Sequence, residues 1–167
     1  MKWYLLILVA FVFAALEVAF PTHWQLGYSH PEFALILAIY LVLNAEASET
    51  LYAAWIIGFT KDIFSTGRLG THSLIYVCGA AILLRLRKYL YKDEVLVQAV
   101  VAFSAVFIAD LSYILQLSLT VPGIQVGEHL QQVLVVSLYS AACAPVIFLL
   151  LDALRRPLGA YQRRHLY

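Results

Sequence analysis

The chain has 167 residues, of which 63% are hydrophobic and only 13% charged, with a formal net charge of +1 and a mean hydropathy of +0.83. Soluble chains carry about 25% charged residues, so this one cannot cover a water-facing surface, and lipid must be its solvent. Near-neutral charge gives no sign of an acidic or basic partner, and basic residues never interleave with aromatics in the way nucleic acid requires.

Trp3 to Phe20 is an apolar run closed by Pro21. It is longer than the about 7–15 residues of a cleaved signal, carries Glu17 and is followed by no A-x-A site, so it reads as a retained first helix. A second segment starts after Pro31 and runs to about Leu43, a third from about Leu51 to Phe64, and a fourth from about Thr71 to Leu84. The fifth runs from about Val95 to Leu119, ahead of Pro122-Gly123, and the sixth from about Leu130 to Leu151. Pro and Gly fall between the segments, where helices stop. Crossing a bilayer takes roughly 20 helical residues. Segments one, five and six meet that length. Segments two, three and four are short; they either gain polar flanks, thin the bilayer or are partly re-entrant. Two and three also read as a single hairpin. The expected fold is all-α: one polytopic transmembrane domain over residues 1–167 with about six helices.

Charge placement gives an orientation. With the N-terminus inside, Lys2, the Arg85–Lys92 cluster and the tail residues Arg155, Arg156, Arg163 and Arg164 all face the cytoplasm, nine of the 11 basic residues. The positive-inside rule therefore predicts an even span count and both termini in the cytoplasm. Only Lys61 and Arg68 stand on the other side. The basic tail reads equally as a topology signal or a lipid-binding patch.

Ionisable residues inside a span are costly and mark candidate sites. Glu17 lies within a turn of the outer end of segment one, where snorkelling to water explains it. Asp62 lies near the outer end of segment three, beside Lys61. Asp110 lies deep in segment five and is the hardest to place at a surface. Gly58, Asp62 and Ser65 are spaced i, i+4, i+7 and share one helix face. Gly58 admits a close backbone, and Gly67 and Gly70 permit a turn with positive φ. This face serves either helix packing or a ligand, with packing favoured. Ser65, Arg68 and the backbone donors of the Gly67–Gly70 turn are the candidate partners of Asp62. Those of Asp110 on its own helix are Tyr113, Ser104 and Gln116. If segments three and five touch, the two carboxyls can pair, and at least one of them is expected to fix those two segments together.

In segment six, Ser140-Ala141-Ala142-Cys143-Ala144-Pro145 removes side-chain bulk and then favours a kink. Ser140, Ala141 and Ala144 form a packing seam, expected to meet a partner helix. Cys78 and Cys143 lie in apolar runs and read as small buried hydrophobes. G-x-S-x-G, H-E-x-x-H, Walker and paired-cysteine motifs are all missing from the sequence, so no enzyme, cofactor or metal is expected. Four of the five histidines, His23, His30, His129 and His165, read as loop or tail residues, and His72 as a helix start.

In this order the features resemble the MreD family of the bacterial rod-shape system. Pro31-Glu32-Phe33 opens a Leu/Ile-rich segment. Gly58, Asp62, Ser65, Leu69 and Gly70 fit the family's G-x-x-x-D-x-x-S-x-x-x-L-G pattern, followed by Ser73, and Arg85 to Lys92 close segment four. Asp110 stands where family members often have an acid. Glu32 and Lys61 depart from the pattern, the first replacing Asp or Asn and the second charging an apolar run. The resemblance implies a non-catalytic scaffold of the inner (cytoplasmic) membrane. Its implied partners are MreC, MreB, RodA and the elongation transpeptidase, in lateral peptidoglycan synthesis. It also implies a fold similar to the substrate-binding subunits of energy-coupling-factor vitamin transporters. The alternative function is therefore a small-molecule-binding subunit. Such a subunit should hold a closed polar pocket near its outer face, whereas a scaffold should lack one and co-purify with MreC.

Overall fold

The computed structural model describes residues 3–19, 30–65, 68–90, 94–120 and 126–155. Among them are six α-helices and no strand: α1 (Trp3–Val18), α2 (Phe33–Asn44), α3 (Ala47–Phe64), α4 (Thr71–Leu86), α5 (Val95–Thr120) and α6 (Val126–Arg155). A short 3-10 turn, Arg87–Tyr89, follows α4. Segments two and three are two helices divided at Ala45 and Glu46 and packed on each other, as in a hairpin. The helix α3 starts before Leu51 because Ala47 to Thr50, polar enough to read as loop, forms its first turn. There the Thr50 hydroxyl donates to the Glu46 carbonyl at 2.7 Å.

Two helices, over Val95–Leu119 and His129–Leu154, are long and apolar enough to cross a membrane. The others are shorter or more polar. The short helix α2 has a different environment from the rest. It packs against all five other helices, and nine of its 12 residues are buried. Twelve residues rise only about 18 Å. A helix that short is tolerated because protein rather than lipid surrounds it. Its final carbonyls are capped by a charge from a distant helix end: Arg87 Nη1 donates to Val42 O at 3.1 Å and Ala45 O at 2.8 Å, and a cation at a helix C-terminus also meets the negative end of the dipole.

The remaining contacts fall into two groups. The helices α3 and α4 pack closely, with α1 and α2 also packed on α3, while α5 packs chiefly on α6. Outward faces are strongly apolar, as in Ile7, Leu8 and Phe11 on α1 and Val146, Leu149 and Leu150 on α6. Cys78, expected inside, is on this outer surface, and Cys143 is half-buried. The helix α6 continues through Pro145.

Candidate functional site

The polar side chains gather where α1 and α3 end and α2 and α4 begin. Asp62, in the last turn of α3, is only 2% exposed. Among the described residues it makes no pair with Asp110. Its carboxylate instead crosses to the start of α4. Oδ2 accepts the Gly70 N–H at 3.0 Å, the Ser73 N–H at 3.1 Å and the Ser73 hydroxyl at 2.7 Å. Oδ1 accepts the His72 N–H at 2.9 Å and lies 2.9 Å from His72 Nδ1. The first N–H groups of a helix have no partner within it, and a negative charge there meets the positive end of the helix dipole. Asp62 therefore caps α4 from another helix and joins α3 to α4, not to α5.

The neighbouring motif residues make that reach possible. A Cβ on Gly58 would lie 2.6 Å from Ser73 Cα and 2.8 Å from His72 O. Glycine is therefore required for α3 and α4 to approach this closely. Gly70 takes φ of +95°, a left-handed conformation that suits glycine. Ser65 ends α3, its N–H donating to Lys61 O at 2.9 Å. Leu69 is exposed, and Gly67 lies outside the described residues.

Lys61, one position before Asp62, points to the other side of α3. Its ammonium is inserted between Glu17 of α1 and Glu32, the residue that precedes α2. It donates to Glu17 Oε1 and, at 2.5 Å, to Glu32 Oε1. All three side chains are buried or nearly so. The expected snorkelling of Glu17 is thus overturned: only 5% exposed, it is held inside by Lys61, and its Oε2 accepts the Ala34 N–H at 3.4 Å. Glu32 is tied further by the Tyr76 hydroxyl, which donates to Oε2 at 3.4 Å, and by its own N–H, which donates to Ser140 Oγ at 2.9 Å. Buried ions are tolerated only when paired and hydrogen-bonded, and this cluster meets both conditions.

Sequence reasoning missed this three-residue cluster. Each member had its own explanation: a snorkelling end for Glu17, a family departure for Glu32 and for Lys61. The available signal was collective, three charges at the same end of three consecutive apolar segments with opposite signs in a two-to-one ratio.

Asp110 lies apart. Among the described residues no hydrogen bond or ion pair engages its carboxyl. Ser104 donates to its own helix at Val100 O, 2.9 Å away, and the Gln116 amide donates to Thr71 Oγ1 at 3.2 Å. Tyr113 stacks on His72 with ring centroids 4.8 Å apart. Asp110 instead forms part of the wall of a partly open cavity of about 260 Å³, which Glu32, Ser65, His72 and Tyr113 also line. Ser140 and Ala144 are 0% exposed. At these two positions the seam expected to meet a partner is closed inside the chain; Ala141 is partly exposed.

The described residues are all-helical, and two of the helices are long and apolar enough to cross a membrane. A family model described as MreD, rod shape-determining protein MreD, matches residues 1–156. The chain belongs to the MreD family, and so to the membrane proteins that determine rod shape. No match was found among curated proteins or among solved structures.

Proposed function

We propose that this protein is a non-catalytic, multi-pass scaffold of the rod-shape elongation complex in the bacterial inner membrane. It binds MreC and supports lateral peptidoglycan synthesis in company with MreB, RodA and the elongation transpeptidase. The observation that carries the reading is the family match over residues 1–156. In this reading residues 1–167 form a single domain in which all six helices are embedded and both termini face the cytoplasm. The Asp62 end then faces outward. The distribution of basic residues supports that orientation, as does neutralisation of Lys61, the main exception, by Glu17 and Glu32. Gly58, Asp62 and Gly70 serve this role as structural elements that fix the α3–α4 pair.

Two measurements test the proposal. In a rod-shaped cell depleted of its own family member, expression of this chain should restore rod shape, and MreC should co-purify with it. Round cells with a normally abundant, membrane-inserted protein would overturn the scaffold role. A membrane-impermeant thiol reagent should fail to label a cysteine placed at Arg85 from the outside; labelling there would overturn the orientation.

A second reading has one observation in its favour. The partly open cavity beside Asp110, lined by polar and apolar side chains, suits a small-molecule-binding subunit with the fold of the energy-coupling-factor substrate-binding proteins. A vitamin-sized ligand retained through purification would favour it over the scaffold.

A further inference from the structure

The cavity has a chemistry that neither helix packing nor the family match accounts for. Its walls are rich in acceptors. The Asp110 carboxyl is unengaged among the described residues. His30 lines the same space, and its buried Nδ1 has no hydrogen-bond partner among the described residues. His72 has Nδ1 against the Asp62 carboxylate. An imidazole that donates from Nδ1 keeps Nε2 as a lone-pair acceptor. Glu17 and Glu32 share a single ammonium, and among the described residues no cation pairs with the Asp110 carboxyl. The stacked rings of His72 and Tyr113, 29° from parallel, offer π surface on the same wall. A carboxylate, lone-pair acceptors and aromatic faces together select a group with N–H donors and positive charge. A metal ion fits poorly: among the described residues no three histidine or acidic groups converge closely enough to hold one.

We propose that this cavity binds an ammonium or guanidinium group, held by the Asp110 carboxylate, His30 Nδ1 and His72 Nε2 beside the Tyr113 ring. Its volume admits a cationic side chain or a small amine but not a large ligand. Two sources carry that chemistry: a free amine, and a lysine or arginine side chain from a partner protein. The inference rests on the cavity alone and stands whether or not the chain is a scaffold.

The test uses the full-length protein in lipid nanodiscs and a matched pair of probes. Acetyl-argininamide carries the guanidinium; acetyl-citrullinamide has the same shape without the charge. Calorimetry should show saturable binding of the arginine probe at least tenfold tighter than that of the citrulline probe. Asp110→Asn should weaken arginine-probe binding at least tenfold and leave the unfolding temperature near wild type. His30→Ala, which alters a separate wall, should weaken it at least threefold and keeps the proposal testable if Asp110→Asn does not fold. Equal binding of the two probes, or undiminished binding by folded Asp110→Asn or His30→Ala, would overturn the proposal. The sources are separated in cells. A photo-crosslinker at Gln132 that yields a polypeptide adduct in wild type but not in Asp110→Asn assigns a partner side chain. An amine seen on the intact protein by native mass spectrometry, and lost in Asp110→Asn, assigns a free amine. Neither in wild type overturns the cavity as a site occupied in the cell.

Discussion

The first four helices and the α5–α6 pair share one apolar core, and the first four are joined in addition by directional polar links. Between α1 and α4 the links are ionic and capping interactions: Lys61 binds α1 and the start of α2, Asp62 caps α4, and Arg87 caps the end of α2. The α5–α6 pair is joined by extensive apolar packing. Beside apolar packing on α2 and α4, hydrogen bonds attach it to the rest: Ser140 to the Glu32 N–H, Gln116 to Thr71, and Asp152 to the Tyr40 hydroxyl at 2.5 Å. Lipid competes poorly for charged and N–H groups but well for apolar surface. The first region is therefore fixed by directional bonds that lipid cannot replace. The second is free to be re-packed by other apolar helices, including those of a partner.

This contrast predicts a graded series of losses on unfolding in detergent. Lys61→Met should cost most, about 3–5 kcal/mol, because it leaves two buried carboxylates without their cation. Adding Glu17→Gln and Glu32→Gln to that variant should recover most of the loss. If Lys61→Met is as stable as wild type, the ionic cluster does not hold the first region. Asp62→Ala should cost about 1.5–3 kcal/mol through lost hydrogen bonds to a charged acceptor, with Asp62→Asn intermediate. Hydrogen exchange should then rise at Gly70, His72 and Ser73 and stay unchanged in α6; uniform exchange would contradict a local cap. Gly58→Ala should cost about 1–3 kcal/mol by overpacking against the α4 backbone, and a cysteine cross-link between α3 and α4 should form more slowly. Ser140→Ala, which removes one link from the second region, should cost only about 0.6 kcal/mol, the average for such bonds in membrane proteins. A loss comparable to that of Lys61→Met would erase the distinction between the regions.

The helices were legible because apolar runs and Pro/Gly breaks are local signals. The starts of α3 and α6 were not, since Ser48, Glu49 and the turn before Leu130 are polar enough to read as loops. Gly58, Asp62 and Gly70 were identifiable from spacing, and the backbone turn was among the foreseen partners of Asp62. His72 and Ser73 were not foreseen, because whether α4 or α5 lies against that face depends on tertiary arrangement. Glu17 shows the limit most clearly. A carboxyl one turn from a helix end has water as its default partner, and only the approach of α3 brings Lys61 within reach. The opposite holds for Asp110: its depth was legible, but the cavity beside it is made by residues from five parts of the chain.

The burial of α2 on nearly every side has a consequence for how the protein is made. A 12-residue helix is too short to partition into a bilayer by itself, and its neighbours α3 to α6 emerge from the ribosome after it. The helix α2 must therefore wait, unable to settle at its final depth until Lys61 reaches Glu32 and Arg87 reaches its last carbonyls. Docking of α2 is thus expected to follow the arrival of α3 and α4. A nascent chain arrested before Arg87 has emerged should leave α2 accessible to water-soluble reagents, and one arrested after α4 has docked should not.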